Sequence, residues 1–185
     1  MKWLFAVAFA LVLSACTTTT KPANNYAIGI VSSGDYQFIR PGAKTYAWHP
    51  KSGVAYVDSG VSKKTLKHVF NEAIGKSLAE KGYQRVSLQQ QPNFIVGYGV
   101  AVESALNDDE LFDKTQLATG IPASDFSDSE QKGTIFIAMY NYPLMELKWR
   151  ALAQGASAPE MDPENSQDRI KSYVDTMLKE MPVAQ

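Results

Sequence analysis

The chain has 185 residues, 45% hydrophobic and 20% charged, with a formal net charge of −1. This is an ordinary globular composition, without the basic excess that nucleic-acid binding or an electrostatic lipid-surface patch requires. A single cysteine excludes an internal disulfide, and no internal repeat is visible.

The chain opens on Lys2 and an apolar run from Trp3 to Leu13. A bilayer span takes about 20 apolar residues, so the run is too short for a permanent helix and has the layout of a secretory signal. It closes on Leu13-Ser14-Ala15-Cys16, which resembles a bacterial lipobox. The resemblance implies that residues 1–15 are removed and that Cys16 carries lipid on its sulfur and its new amine. Small residues admit the backbone to a peptidase cleft, and a thiolate supplies the nucleophile for alkylation. An ordinary signal peptide would leave the lone cysteine unexplained. One acyl chain holds a protein to a membrane only marginally, whereas several on one residue suffice. Thr17 follows where lipoproteins of this kind retained in the inner membrane carry aspartate. The implied address in a Gram-negative host is therefore the periplasmic face of the outer membrane. Loss of Lys2 leaves 17 basic against 19 acidic residues, a mature charge of −2.

Residues 16–25 read as the lipidated cysteine and a polar tether. The stretch from Thr17 to Asn25 reaches about 30 Å when extended. Residues 26–185 are long enough for one domain with one core.

Tyr26 to Val31 reads as a strand ended by the turn residues Ser33-Gly34-Asp35, and Tyr36 to Arg40 as a short extended piece. Thr45 to Trp48 is rich in strand formers and stops at His49-Pro50; Lys51 to Gly60 reads as a loop. Ser62 is a plausible N-cap for a helix to about Lys81. Leu66, Val69, Phe70, Ala73, Ile74 and Leu78 share one side of it, and Gly82 stands where a left-handed residue ends helices. Tyr83 to Leu88 reads as a short strand and Phe94 to Glu103 as a longer one. On the latter Phe94, Val96, Tyr98, Val100 and Val102 face the helices, opposite Ile95, Gly97, Gly99 and Ala101.

The acidic stretch from Ser104 to Lys132 reads as a solvated, mobile loop with a short helix near Asp109–Thr115. Gly133 to Asn141 and Glu146 to Gln154 pair as a hairpin. Ile135, Ile137, Met139, Leu147, Trp149 and Ala151 point inward; Phe136, Ala138, Tyr140, Lys148 and Arg150 point outward. Gly155 to Pro163 reads as a loop. A last helix from about Glu164 to Met181 presents Ile170, Tyr173, Val174, Met177, Leu178 and Met181, and Pro182 stops it.

Several short motifs occur in order: Tyr46-Ala47-Trp48, Lys81-Gly82-Tyr83 after the helix, Pro92-Asn93-Phe94, Gly133, Trp149-Arg150 and Met181-Pro182. With the lipobox in front, the chain resembles the bacterial lipoprotein family called domain of unknown function 4136. Asn93, Ala151 and Asn141 depart from the aspartate, glycine and acidic residue common there. The family has no assigned reaction, so the resemblance implies fold and location rather than activity.

Nothing in the sequence assembles a catalytic or metal group. His68 lies opposite its helix's apolar stripe, and His49 precedes a proline; neither has zinc-ligand spacing. Asp108 to Asp113 lacks the rhythm and the glycine of a calcium loop. Gly-x-Ser-x-Gly is missing, and Gly97-Tyr98-Gly99 lies inside a strand rather than at a helix start. No cofactor is expected. The stretch singled out is the outer sheet face, where Phe136, Tyr140, Lys148 and Arg150 flank Gly97 and Gly99, set against an ordinary solvent-facing sheet.

The expected fold is a two-layer α/β sandwich, with a mixed, mostly antiparallel sheet of five or six strands and two long helices on one face. The expected role is a non-catalytic accessory or binding module, held to the membrane by its lipid and docking on another envelope protein. The alternative is a carrier or sensor of an apolar or glycan ligand on the outer face or beneath the acidic loop. A hydrolase using Asp125, Asp128 and His49 ranks last.

Overall fold

The computed structural model describes residues 28–60, 62–126, 131–157 and 163–185. The leader, Cys16, the tether and Tyr26 lie outside them, as do Asp128 and Glu130. The architecture is mixed α/β, a seven-stranded sheet with three α-helices. The strands are β1 (Gly29–Gly34), β2 (Thr45–Trp48), β3 (Val54–Tyr56), β4 (Gln84–Arg85), β5 (Phe94–Val102), β6 (Gln131–Asn141) and β7 (Leu147–Ser157). The helices are α1 (Lys63–Glu80), α2 (Asp108–Thr115) and α3 (Pro163–Met177). The sheet order is β1-β7-β6-β5-β2-β4. β1, β7, β6 and β5 run antiparallel; β2 and β3 lie end to end along β5, both parallel to it.

Ser62 caps α1 by accepting from the Thr65 amide, and Gly82 ends it at φ +87°. Phe70, Ala73, Ile74 and Leu78 of α1 meet Val174 and Met177 of α3, and Leu178 just beyond its end, over one face of the sheet. That face carries Phe94, Val96, Tyr98, Ile135, Ile137, Met139, Trp149 and Ala151. The two long helices thus share a face, as the 3.6- and 2-residue periods require.

Several expectations are corrected. The sheet has seven strands because Val54–Tyr56, inside the expected loop, pairs with Gly99–Ala101. Residues 36–40 form a turn instead of a strand, folding Tyr36 onto Trp149 with ring centroids 5.0 Å apart. The strand after α1 shrinks to Gln84–Arg85 and a 3-10 turn follows at Leu88–Gln90. β7 runs on to Ser157, and α3 stops at Met177, short of Met181. Leu147 is 43% exposed instead of inward, because a register shift at Met139/Tyr140 breaks the alternation before it.

The motifs of the family resemblance turn out to be junctions. The Asn93 Oδ1 accepts from the Lys44 amide, the Thr45 amide and the Thr45 hydroxyl, each at 2.9 Å. That oxygen ties the start of β2 to the start of β5. The Tyr83 hydroxyl donates to the Pro182 carbonyl at 2.9 Å, and the Lys81 ammonium to the Met181 carbonyl at 2.9 Å. The C-terminal segment is thereby sewn to the end of α1.

Position 93 needs an acceptor and nothing more. Asn93→Asp is expected to keep the stability, whereas Asn93→Ala is expected to lower it by about 1–2 kcal/mol. Urea denaturation of the two variants checks this.

Candidate functional site

The sheet face opposite α1 and α3 is divided in two. At the β7 C-terminal end, the 104–126 excursion folds back over it. Leu106, Leu111 and Leu117 pack on Ala101 and Leu152, with Val31 and Phe136 alongside. Lys114 of α2 lies over the Tyr56 ring, 5.6 Å from its centroid. A side chain at Gly29 would come within 2.8 Å of Thr119 and Ile121, so a glycine is needed for the far end of the excursion to cross β1.

Polar groups underneath pin this cover. The Lys132 side chain is 0% exposed. Its ammonium meets the Asp108 carboxylate, the Glu103 carboxylate at 3.1 Å and the Ile121 carbonyl at 3.2 Å. Buried Gln154 donates to Asp108 at 2.9 Å and to Thr134 at 3.3 Å, and accepts from the Thr119 hydroxyl. Partial burial pushes the Asp108 carboxyl up. Hydrogen bonds from Lys132 and Gln154 and the charge of Lys132 outweigh that and hold it below its ordinary value. Asn107 caps α2, in a capping box with Glu110. The expectation of a mobile acidic loop is therefore corrected. α2 falls where the sequence placed a helix, but Asp108 spends its charge on Lys132, and leucines fill the space beneath.

The other half of the face is uncovered. Gly97 and Ala138 are buried there under larger neighbours. A Cβ at Gly97 would stand 3.4 Å from both His49 and Tyr140, whose rings stack at 5.0 Å. The His49 Nδ1 accepts from the Lys51 amide at 3.1 Å. Burial, then the Lys51 charge, lowers the imidazole pKa, so it is neutral at pH 7. Lys148 pairs with Glu146 at 2.9 Å. Half-buried Arg150 makes no hydrogen bond or ion pair among the described residues. Beyond Tyr140, the β6–β7 hairpin presents Leu144, 70% exposed, and Leu147.

Of the four residues singled out from sequence, Tyr140, Lys148 and Arg150 share this open half, while Phe136 edges the covered one. Sequence reasoning missed His49 as a member, along with Leu144 and Leu147. It also missed the whole Lys132 pin, although a lysine at an outward strand position, opposite Ala156, was its available signal. Asp125 lies at the far end of the excursion from α2, and His49 belongs to the other half of the face. His68 is exposed on α1, 3.5 Å from Glu72. Among the described residues, no group of three or more His, Cys, Asp or Glu is placed to hold a metal ion, and no helix is long and apolar enough to cross a membrane.

This geometry defines a mixed α/β domain with one helical face and one half-covered sheet face. The chain belongs to the family described as a domain of unknown function, DUF4136, whose model matches residues 31–183. No curated protein matches it. Among solved structures it is similar to a PelC dodecamer from Paraburkholderia phytofirmans, with TM-score 0.52 and 11% identity, covering 85% of this chain and 99% of that one. A PDZ domain protein from Parabacteroides distasonis matches with TM-score 0.51 and 15% identity over 86% of this chain and 37% of its own. A DUF4136 family protein from Bacteroides thetaiotaomicron matches with TM-score 0.47 and 12% identity over 85% and 96%. At these identities the likenesses to the PelC and PDZ domain proteins, with TM-scores of 0.52 and 0.51, bear on the fold alone.

Asp108→Asn is expected to cost about 1–2 kcal/mol. This is less than a fully buried broken pair costs, because Asp108 is half exposed and Glu103 remains. A carboxylate with a depressed folded pKa stabilises above its unfolded pKa and loses that contribution as pH falls through the folded value. Between neutral pH and strong acid the variant should thus lose less stability than the parent. Denaturant midpoints measured across that range check both expectations.

Proposed function

We propose that this protein is an outer-membrane-anchored, periplasmic lipoprotein that works without catalysis, as an accessory module docking on another envelope protein through the open half of its sheet face. The observation that carries the reading is Arg150, whose side chain has no partner among the described residues, on the same face as the Tyr140–His49 stack, with Leu144 and Leu147 exposed on the adjoining hairpin. Tyrosine and arginine flanked by exposed aliphatic side chains are the composition of protein-binding hot spots. The lipobox supports the anchor, and the short polar tether keeps the domain close to the membrane surface.

The PelC protein of similar fold is a dodecamer. Copies of this chain are accordingly a natural first candidate for the partner, and the same patch would serve.

Two experiments test this. Cys16→Ser is expected to move the protein from the outer-membrane fraction to the soluble periplasm and to abolish palmitate labelling; a wild-type protein that is already soluble and unlabelled would contradict the anchor. A photo-crosslinking residue in place of Arg150 is expected to give a discrete adduct in cells. The same residue at Lys64 on α1 should give none, and equal labelling at the two positions would contradict docking by this face.

A further inference from the structure

The helical side of the molecule holds a second feature, independent of the sheet-face reading. A groove of about 730 Å³ runs between α1, α3 and β4, and Gly75, Lys76, Arg85 and Asp168 line it. Behind the lining residue Gly75 lies a tyrosine whose hydroxyl has no protein partner among the described residues. Tyr46 is 2% exposed, yet its hydroxyl makes no hydrogen bond among the described residues. Unlike the Tyr36 and Tyr173 hydroxyls, which are enclosed without a partner, the Tyr46 hydroxyl is not fully sealed from solvent, while the core tyrosines Tyr83 and Tyr98 both donate to protein acceptors.

The Tyr46 hydroxyl lies directly below Gly75. A Cβ at that position would stand 3.6 Å from the oxygen, an ordinary contact with no clash. Packing therefore does not demand glycine in the middle of α1, where it is the poorest helix former after proline. What glycine does provide is an open path from the groove to the phenol.

The charges around that path are positive. Arg85 on β4 is paired in register with Tyr46, on the same sheet face. Its charge reaches the phenol, whose pKa is raised by burial and pulled partly back by Arg85. Neither Arg85 nor Lys76 has an ion-pair partner among the described residues. The groove's other lysine, Lys171, is engaged by Glu80 and Asp175, and His68 lies beside Glu72.

We propose that this groove binds a ligand through an anionic oxygen, of a carboxylate or a phosphate, that accepts a hydrogen bond from the Tyr46 hydroxyl and is neutralised by Arg85 and Lys76. The size and openness of the groove suit a sugar acid or a glycerophosphate headgroup, with Asp168 and Glu72 left to meet hydroxyl donors at the far side.

The test is calorimetric titration of the mature chain in non-ionic detergent with galacturonate and, separately, glycerol 3-phosphate. Saturable binding of the first identifies a carboxylate source, of the second a phosphate source, and of both a general anionic-oxygen site; each supports the proposal when the variants respond. Tyr46→Phe removes only a hydroxyl that makes no hydrogen bond to the described residues, so it is expected to keep the thermal midpoint while weakening binding about tenfold or more. Arg85→Gln is expected to weaken it similarly. Gly75→Ala closes the path and is expected to raise the thermal midpoint while reducing affinity, a split that a merely structural role would not give. Lys64→Gln, outside the groove, should change nothing. Absence of saturable binding with both anions, or variants that bind as tightly as the parent, would overturn the proposal.

Discussion

A lysine that cannot reach water dictates much of this structure. The Lys132 ammonium sits on the outward side of a central strand, where water would ordinarily solvate it, yet its side chain is fully covered. A buried charge survives only with compensating charge and hydrogen bonds. Glu103 follows the end of the adjoining strand β5, its amide bonded to the Lys132 carbonyl; Asp108 and the Ile121 carbonyl arrive from the excursion between β5 and β6. Satisfying one ammonium therefore folds the whole 104–126 segment back onto the sheet, and the leucines of that segment then bury the apolar surface beneath.

Covering one half of a face gives the other half its character. The excursion ends the exposed area at Phe136, so what solvent meets beyond it is a compact set of aromatic, aliphatic and cationic side chains. Most outward-facing sheets present mixed polar residues. Here the cation that would ordinarily find an acid, Arg150, has none among the described residues, while neighbouring Lys148 does. The short junctions at Asn93, Tyr83 and Pro182 keep the helical face rigid. They place the motifs Lys81-Gly82-Tyr83, Pro92-Asn93-Phe94 and Met181-Pro182 in structural work.

The long regular elements were legible in the sequence because their periods are unambiguous. Ser62 and Gly82 mark both ends of α1, and the alternation along β5 and β6 puts Phe94, Val96, Tyr98, Val100, Ile135, Ile137 and Met139 in the helical core and Ala101 and Phe136 on the other face. What failed has identifiable causes. Val54–Tyr56 is too short to show a period, and becomes a strand only because β5 offers it an edge. Leu147 obeys alternation in sequence and breaks it in space, since a bulge carries no composition signal. The acidic stretch read as solvated because charge was counted without its buried partner. Lys132 lies 24 residues from Asp108, and no local pattern links them. The open half of the candidate face was legible as far as strand alternation reaches, at Tyr140, Lys148 and Arg150. His49 arrives from another strand's end, beyond that reach.

The claim most exposed to test is that residues 104–126 are a pinned part of the fold. Hydrogen–deuterium exchange of the mature chain measures it directly. Amides of the Leu111–Leu117 segment, the N–H groups of Thr115 and Gln116 among them, should be protected well above the rate of an unstructured peptide and should lose that protection selectively when Lys132 is replaced by Met. Exchange of this segment at the free-peptide rate in the parent protein would contradict the account.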